Sequence, residues 1–210
     1  MLFLSILLSG TLLAACVTTG IPGMKVISSQ EGEETYLHEF SKFVFPKLVE
    51  SFNRVKIHSF DRDGHDIGIG YNSRSGINLT IYVYPLQQAN ARGGDDVLEN
   101  HFQDVKGVTL RAHPGAQLVS VGPIVMEQNG KSYLGRKAIL TVEDIVRSGS
   151  FFYELGLTGI ASRGISELYV FRLNQYFIKY RVTYVDSISD KAKSEVPSFM
   201  RALHWPLGIN

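Results

Sequence analysis

The sequence predicts an α+β domain: a twisted antiparallel sheet of about seven or eight strands with two or three packed helices. Three observations carry this. Short alternations of apolar and polar residues recur, most clearly where Ile77, Leu79, Ile81 and Val83 interleave with Asn78, Thr80, Tyr82 and Tyr84. Turn-forming sequences separate such runs at Asp61-Arg62-Asp63-Gly64, Asn129-Gly130 and Asn174-Gln175. The stretches with helical spacing lie mid-chain and at the C-terminus and do not alternate with strands, so a parallel βαβ sheet is not expected.

Composition is consistent with a folded chain. The 210 residues are 44% hydrophobic and 20% charged, which is ordinary for a globular protein and long enough for one domain with a real core. The 12 Phe and 10 Tyr favour a well-packed sheet. Lys and Arg total 21 against 20 Asp and Glu, so there is no basic excess to attract nucleic acid and none is expected as a partner. One Cys, at position 16, excludes an intramolecular disulfide and Cys-rich zinc or iron–sulfur sites.

Residues 1–15 (MLFLSILLSGTLLAA) form an uncharged apolar run, shorter than the roughly 20 residues of a membrane span. Thr18, Thr19, Gly20, Pro22 and Gly23 interrupt a helix where a span would have to continue. The run closes on Leu13-Ala14-Ala15-Cys16, which resembles the lipobox of bacterial lipoproteins at all its positions. The resemblance implies a signal peptide over 1–15, cleavage between Ala15 and Cys16, and a diacylglycerol thioether on the Cys16 sulfur, often followed by acylation of the new amino terminus. The Lys or Arg that usually opens a signal peptide is absent, and an upstream initiation codon would supply it. Each buried methylene contributes about 0.8 kcal/mol, and two or more acyl chains hold a protein stably where one does not. Residues 16–34 are then the lipidated Cys and a flexible tether, 35–206 a single globular domain and 207–210 a tail. Val17 after the Cys implies the outer membrane, facing the periplasm, by the family's sorting tendency. The expected partners are the membrane, through acyl chains on Cys16, and an envelope protein or ligand.

Along the mature chain, residues 34–44 read either as a short helix ending before Pro46 or as an extended lead-in. Residues 52–60 and 66–72 form a hairpin around the Asp61–Gly64 turn, with Gly68 and Gly70 on a strand face that another element approaches closely. Residues 77–84 are a strand ended by Pro85. Residues 94–106 form a helix with Asp95 and Asp96 at its N-terminal end, an apolar stripe of Val97, Leu98, Phe102 and Val105, and Gly107 as C-cap. Strands follow at 117–126, 132–142 and 151–158, then a loop at 159–166. A turn at Asn174-Gln175 sets Phe171 opposite Ile178 and Tyr169 opposite Tyr180 on one face, with Leu168, Val170, Arg172, Lys179 and Arg181 on the other. A helix from about Ser187 closes the chain, with Ser187 and Asp190 as a capping box and a kink or split at Pro197. The order of strands, mid-chain helix, strands and C-terminal helix resembles the Mog1/PsbP-like α/β/α sandwich; that likeness is topological and implies no function.

No catalytic, cofactor or metal residues are assigned. Asp61-Arg62-Asp63-Gly64-His65-Asp66 lacks the later Glu of an EF-hand loop and reads as a solvated turn. His58 and His65 could approach with Asp66 nearby, but the six histidines form no HExxH or i,i+4 pair. There is no GxSxG, and Gly68-Ile69-Gly70 lacks the third Gly of a dinucleotide loop. Arg172, Lys179 and Arg181 read as lying along an apolar surface with their heads in solvent, an anion site being the alternative. Tyr82, Tyr84, Tyr176, Tyr180 and Tyr184 read as sheet residues, with ligand stacking as the alternative. The expectation is a membrane-anchored lipoprotein acting as a non-catalytic binding or assembly module, or alternatively an enzyme whose catalytic residues are dispersed.

Overall fold

A computed structural model describes residues 20–29, 33–86, 96–143 and 163–206. The lipobox with Cys16, the 151–158 strand and the 207–210 tail lie outside these residues. The main sheet has eight antiparallel strands in the order β4 (Leu48–Val49), β5 (Phe52–Ser59), β6 (Ile67–Ser73), β7 (Asn78–Pro85), β11 (Tyr176–Val185), β10 (Gly164–Leu173), β9 (Lys131–Val142) and β8 (Gln117–Gln128). A second sheet of three strands is made by β1 (Met24–Ser28), β2 (Thr35–His38) and β3 (Val44–Phe45). Two helices, α1 (Asp96–Ala112) and α2 (Ser189–Ala202), complete the described fold, with one 3₁₀ turn at Asp186–Ile188 before α2. The class is α+β, as predicted.

The hairpin register is the expected one: Phe171 pairs with Ile178 and Tyr169 with Tyr180. The sheet therefore carries two apolar faces. One, with Ile69, Ile81, Tyr180 and Phe171, is covered by Val196, Phe199 and Met200 of α2 and by Phe43 and Phe45 of the small sheet. The other, with Leu140, Leu168, Val170 and Phe177, is covered by Val97 and Phe102 of α1. Each such buried side chain contributes roughly 1.5–3 kcal/mol relative to exposure.

Several expectations are corrected. Residues 24–28, expected within the tether, pair with β2, so the ordered fold starts before residue 35. Residues 35–38 and 44–45 are strands, which settles the 34–44 alternative as extended. Gly107 does not cap α1. The helix continues to Ala112, and Gly115, at φ 88° just past Pro114, sits where the chain turns back toward β8. The Ser187–Asp190 capping box does not form; Ser189 Oγ instead donates to Asp186 Oδ1 at 2.9 Å. α2 runs through Pro197 as one helix. At the Asn129-Gly130 turn both residues take positive φ, 51° and 73°, which is what a two-residue hairpin of primed type requires.

The Asp61–Asp66 turn is not simply solvated. Its Gly64 meets the backbone of Pro22-Gly23 so closely that a Cβ on Gly64 would lie 2.2 Å from the Pro22 carbonyl carbon, and Gly64 also has φ 81°. His38, wholly buried, bridges the two sheets here. Its Nε2 lies 2.7 Å from the Gly64 carbonyl, so Nε2 carries the proton, and Nδ1 accepts the Ser41 hydroxyl at 2.5 Å. Burial holds the His38 pKa below its ordinary value of 6.5, with the Gly64 carbonyl opposing. A histidine depressed in the folded state contributes stability above its unfolded pKa and loses it as pH falls below about 6.5. His101 and His113 are lowered in the same sense, each chiefly by burial. Denaturant midpoints taken from about pH 7.5 down to about 5.5 should therefore fall, and His38→Gln should flatten part of that slope; a slope identical in the two proteins would contradict the assignment.

Candidate functional site

The site grows out of period-two geometry. In β7, Leu79, Ile81 and Val83 are buried on the α2 side, which sends Thr80, Tyr82 and Tyr84 to the opposite face. Strand β11 lies beside β7 with Phe177 opposite Tyr84, Lys179 opposite Tyr82 and Arg181 opposite Thr80, so these side chains share that face. On the other flank Gly68 pairs with Tyr82. The close approach anticipated at the glycines is made at Gly68 by Phe60: a Cβ on Gly68 would lie 2.9 Å from the Phe60 ring, which stacks 5.9 Å from Tyr82.

Helix α1 covers β9 and β10 and leaves the β7–β11 face partly open. The result is a cleft of about 690 Å³, within the usual size range of small-molecule sites. Its floor is Tyr82, Tyr84, Lys179 and Arg181. One wall is the α1 stripe of His101, Asp104, Val105, Val108, Thr109 and Ala112, and the other holds Asp61 and Asp66.

The electrostatics centre on Lys179. Its ammonium lies 3.8 Å from the Tyr82 ring centroid and 5.8 Å from that of Tyr84. Among the described residues it has no carboxylate at ion-pair distance and no hydrogen-bond acceptor. Burial, and then the neighbouring Arg181, lower its pKa to about 8, against a weaker opposing pull from Asp66. Lys179 departs from the expectation of a fully solvated basic head: it is half-buried, with its ammonium against the Tyr82 ring. Arg181 Nη2 contacts His113 Nε2, which must be the unprotonated nitrogen. Asp66 is raised, chiefly by burial and then by Asp61, with Lys179 opposing. Asp61 Oδ1 accepts the Gly64 amide at 2.7 Å. Tyr84 Oη and His101 Nε2 share a 2.6 Å hydrogen bond, and the His101 ring stacks 3.9 Å from Phe177. Thr109 Oγ1 donates back to the Val105 carbonyl at 2.9 Å.

The remaining candidates disperse. His58 packs edge-on to Phe60, while His65 stacks 3.7 Å from Phe40. Among the described residues no three His, Cys, Asp or Glu side chains gather to hold a metal ion. Of the tyrosines, Tyr82 and Tyr84 line the cleft, Tyr176 meets the His38 ring, and Tyr180 and Tyr184 lie in the core on the far side. A buried carboxylate that the sequence reading passed over, Glu167, is also on that far side. It accepts from the Tyr169 hydroxyl, from Tyr184 Oη at 2.6 Å and from Lys137 Nζ at 2.9 Å. Burial pushes Glu167 up, but these bonds outweigh it and leave the carboxyl below its ordinary range. All its partners are internal, so it stabilises the fold rather than facing a ligand.

Fold and site define a layered α+β domain with a preformed cleft at one helix–sheet seam. No protein-family model matches the chain, and no curated protein sequence matches it. Among solved structures, it is similar to the cyanobacterial PsbP of Synechocystis sp. PCC 6803, at 13% identity and a TM-score of 0.46, covering 92% of this chain and 99% of that one. It is also similar to the Ran-binding protein Mog1p of Saccharomyces cerevisiae, at 8% identity and a TM-score of 0.31, covering 88% of this chain and 76% of that one. These are the two proteins whose fold type the element order resembled; at such scores nothing about function rests on them. Among the described residues no helix is long and apolar enough to cross a membrane.

Proposed function

We propose that the protein is a lipid-anchored bacterial envelope protein whose folded domain faces the periplasm and acts as a non-catalytic binding module, with the α1–sheet cleft as its binding site.

 The binding half rests on one observation: the cleft is already formed, and its His101 and Thr109 side chains are held in internal hydrogen bonds rather than set to activate a nucleophile. His101 is paired with Tyr84 and the Thr109 hydroxyl is turned back into its own helix. The anchoring half rests on Leu13-Ala14-Ala15-Cys16, supported by the apolar run before it. The described residues begin at position 20, four after Cys16, with Met24 already in a strand. Lipid on Cys16 would therefore hold the domain close to the bilayer. Outer-membrane placement follows the lipoprotein sorting tendency for Val17.

Anchoring is tested by expressing the full chain and its Cys16→Ser form in a bacterial host with labelled palmitate. The native chain should label and sediment with membranes, and the Cys16→Ser form should do neither. Equal membrane association of the two would overturn the anchor.

A further inference from the structure

We infer that the cleft takes a small organic monoanion, a carboxylate on an apolar body, with the carboxylate seated between Lys179 and Arg181. This rests on the reading of the cleft as a binding site and adds the ligand's chemistry.

The floor carries the argument. Lys179 and Arg181 alternate along β11 and so project to the same face, and both line the cleft. Lys179 is half-buried, its ammonium against the Tyr82 and Tyr84 rings, with no carboxylate at ion-pair distance among the described residues and only a weaker pull from Asp66. A cation partly withdrawn from water without a close counter-charge is costly, and a carboxylate arriving at the floor would relieve that cost. The depressed pKa of Lys179 is the same cost seen in titration. Arg181, whose described contact is to a neutral histidine nitrogen, presents a planar guanidinium fork suited to a carboxylate.

The walls limit what else can enter. Asp61 and Asp66 stand on one side and Asp104 on the other. These carboxylates repel any anion along its path, a phosphate ester or a dicarboxylate more than a single charge, whose cost the two floor cations offset. Val105 and Val108 on α1, with Leu168 and Phe177 below, supply apolar contact for the rest of the ligand.

The probe is 2-naphthoate, with 2-naphthamide and 2-naphthylmethylamine as neutral and cationic counterparts. Binding is read by equilibrium dialysis against the full chain in lipid nanodiscs, with protein-free nanodiscs as blank. Naphthoate should bind saturably and at least tenfold more tightly than the amide. Lys179→Met should lose at least tenfold, and Arg181→Gln should weaken binding in the same direction. Asp104→Asn, at an exposed helix position, should tighten it severalfold, a gain that unfolding cannot mimic. Equal binding of naphthoate and naphthamide, or preference for the amine, would overturn the anion assignment and leave the cleft as a binding site. Failure of all the probes to bind would overturn both.

Discussion

Trp205→Ala should cost about 4 kcal/mol of stability, the range for emptying a large aromatic site in a core. Trp205 follows α2 and is 2% exposed. Its ring packs 5.0 Å from Tyr133, 5.2 Å from Phe171 and 6.0 Å from Phe43, so it joins the main sheet to the small one. Its Nε1 donates to the buried Tyr180 hydroxyl at 2.8 Å, and its carbonyl accepts Asn129 Nδ2 at 2.9 Å. Truncation leaves a cavity and strips Tyr180 Oη of its donor. For a domain of this size the midpoint of thermal unfolding should fall by roughly 10 °C. A fall of no more than one or two degrees would mean that the residue is not the keystone its contacts describe.

Gly135→Ala should be comparably damaging for the opposite reason. Gly135 pairs with Phe171 across β9 and β10, and the Phe171 ring lies on it. A Cβ at Gly135 would meet Phe171 Cδ1 at 2.3 Å and the Val170 carbonyl oxygen at 2.8 Å. Neither is the free end of a flexible chain, so ring or strand must move, at about 1–3 kcal/mol or more. Trp205 is one of the groups that hold the ring in place, so the two changes are coupled. In Trp205→Ala the vacated space lets Phe171 shift, and adding Gly135→Ala should then cost less than it does alone. Chemical denaturation of the four proteins of the cycle measures this. Strict additivity would show that Phe171 escapes by another route.

Much of the fold was legible because sheets repeat every second residue. The turn at Asn174-Gln175 fixed which residues of β10 and β11 face each other, and the apolar pattern agreed. That pattern alone places Lys179 and Arg181 on one face. What local pattern does not contain is which strands become neighbours. The pairing of β7 with β11 is a long-range choice, and it alone brings Tyr82 against Lys179. The α1 wall was half legible: the stripe His101, Val105, Val108, Ala112 has helical spacing, but placing the helix end at Gly107 hid its second half. Gly107 looked like a cap because glycine commonly follows a last turn, whereas Pro114-Gly115 was the stronger stop. Residues 24–28 read as tether because a lone short strand has little local signal; its order comes from β2 and from the Gly23–Gly64 contact. The buried Glu167 was invisible for a similar reason, since its partners Tyr184 and Lys137 lie on other strands.

The proposed lipid anchor is tested by the intact mass of the chain extracted from membranes. After expression of the full sequence in a bacterial host, the expected species is a polypeptide beginning at Cys16 with a diacylglycerol on its sulfur, with or without a further acyl chain on its amino group. A polypeptide that retains residues 1–15 and a free Cys16 thiol would contradict it.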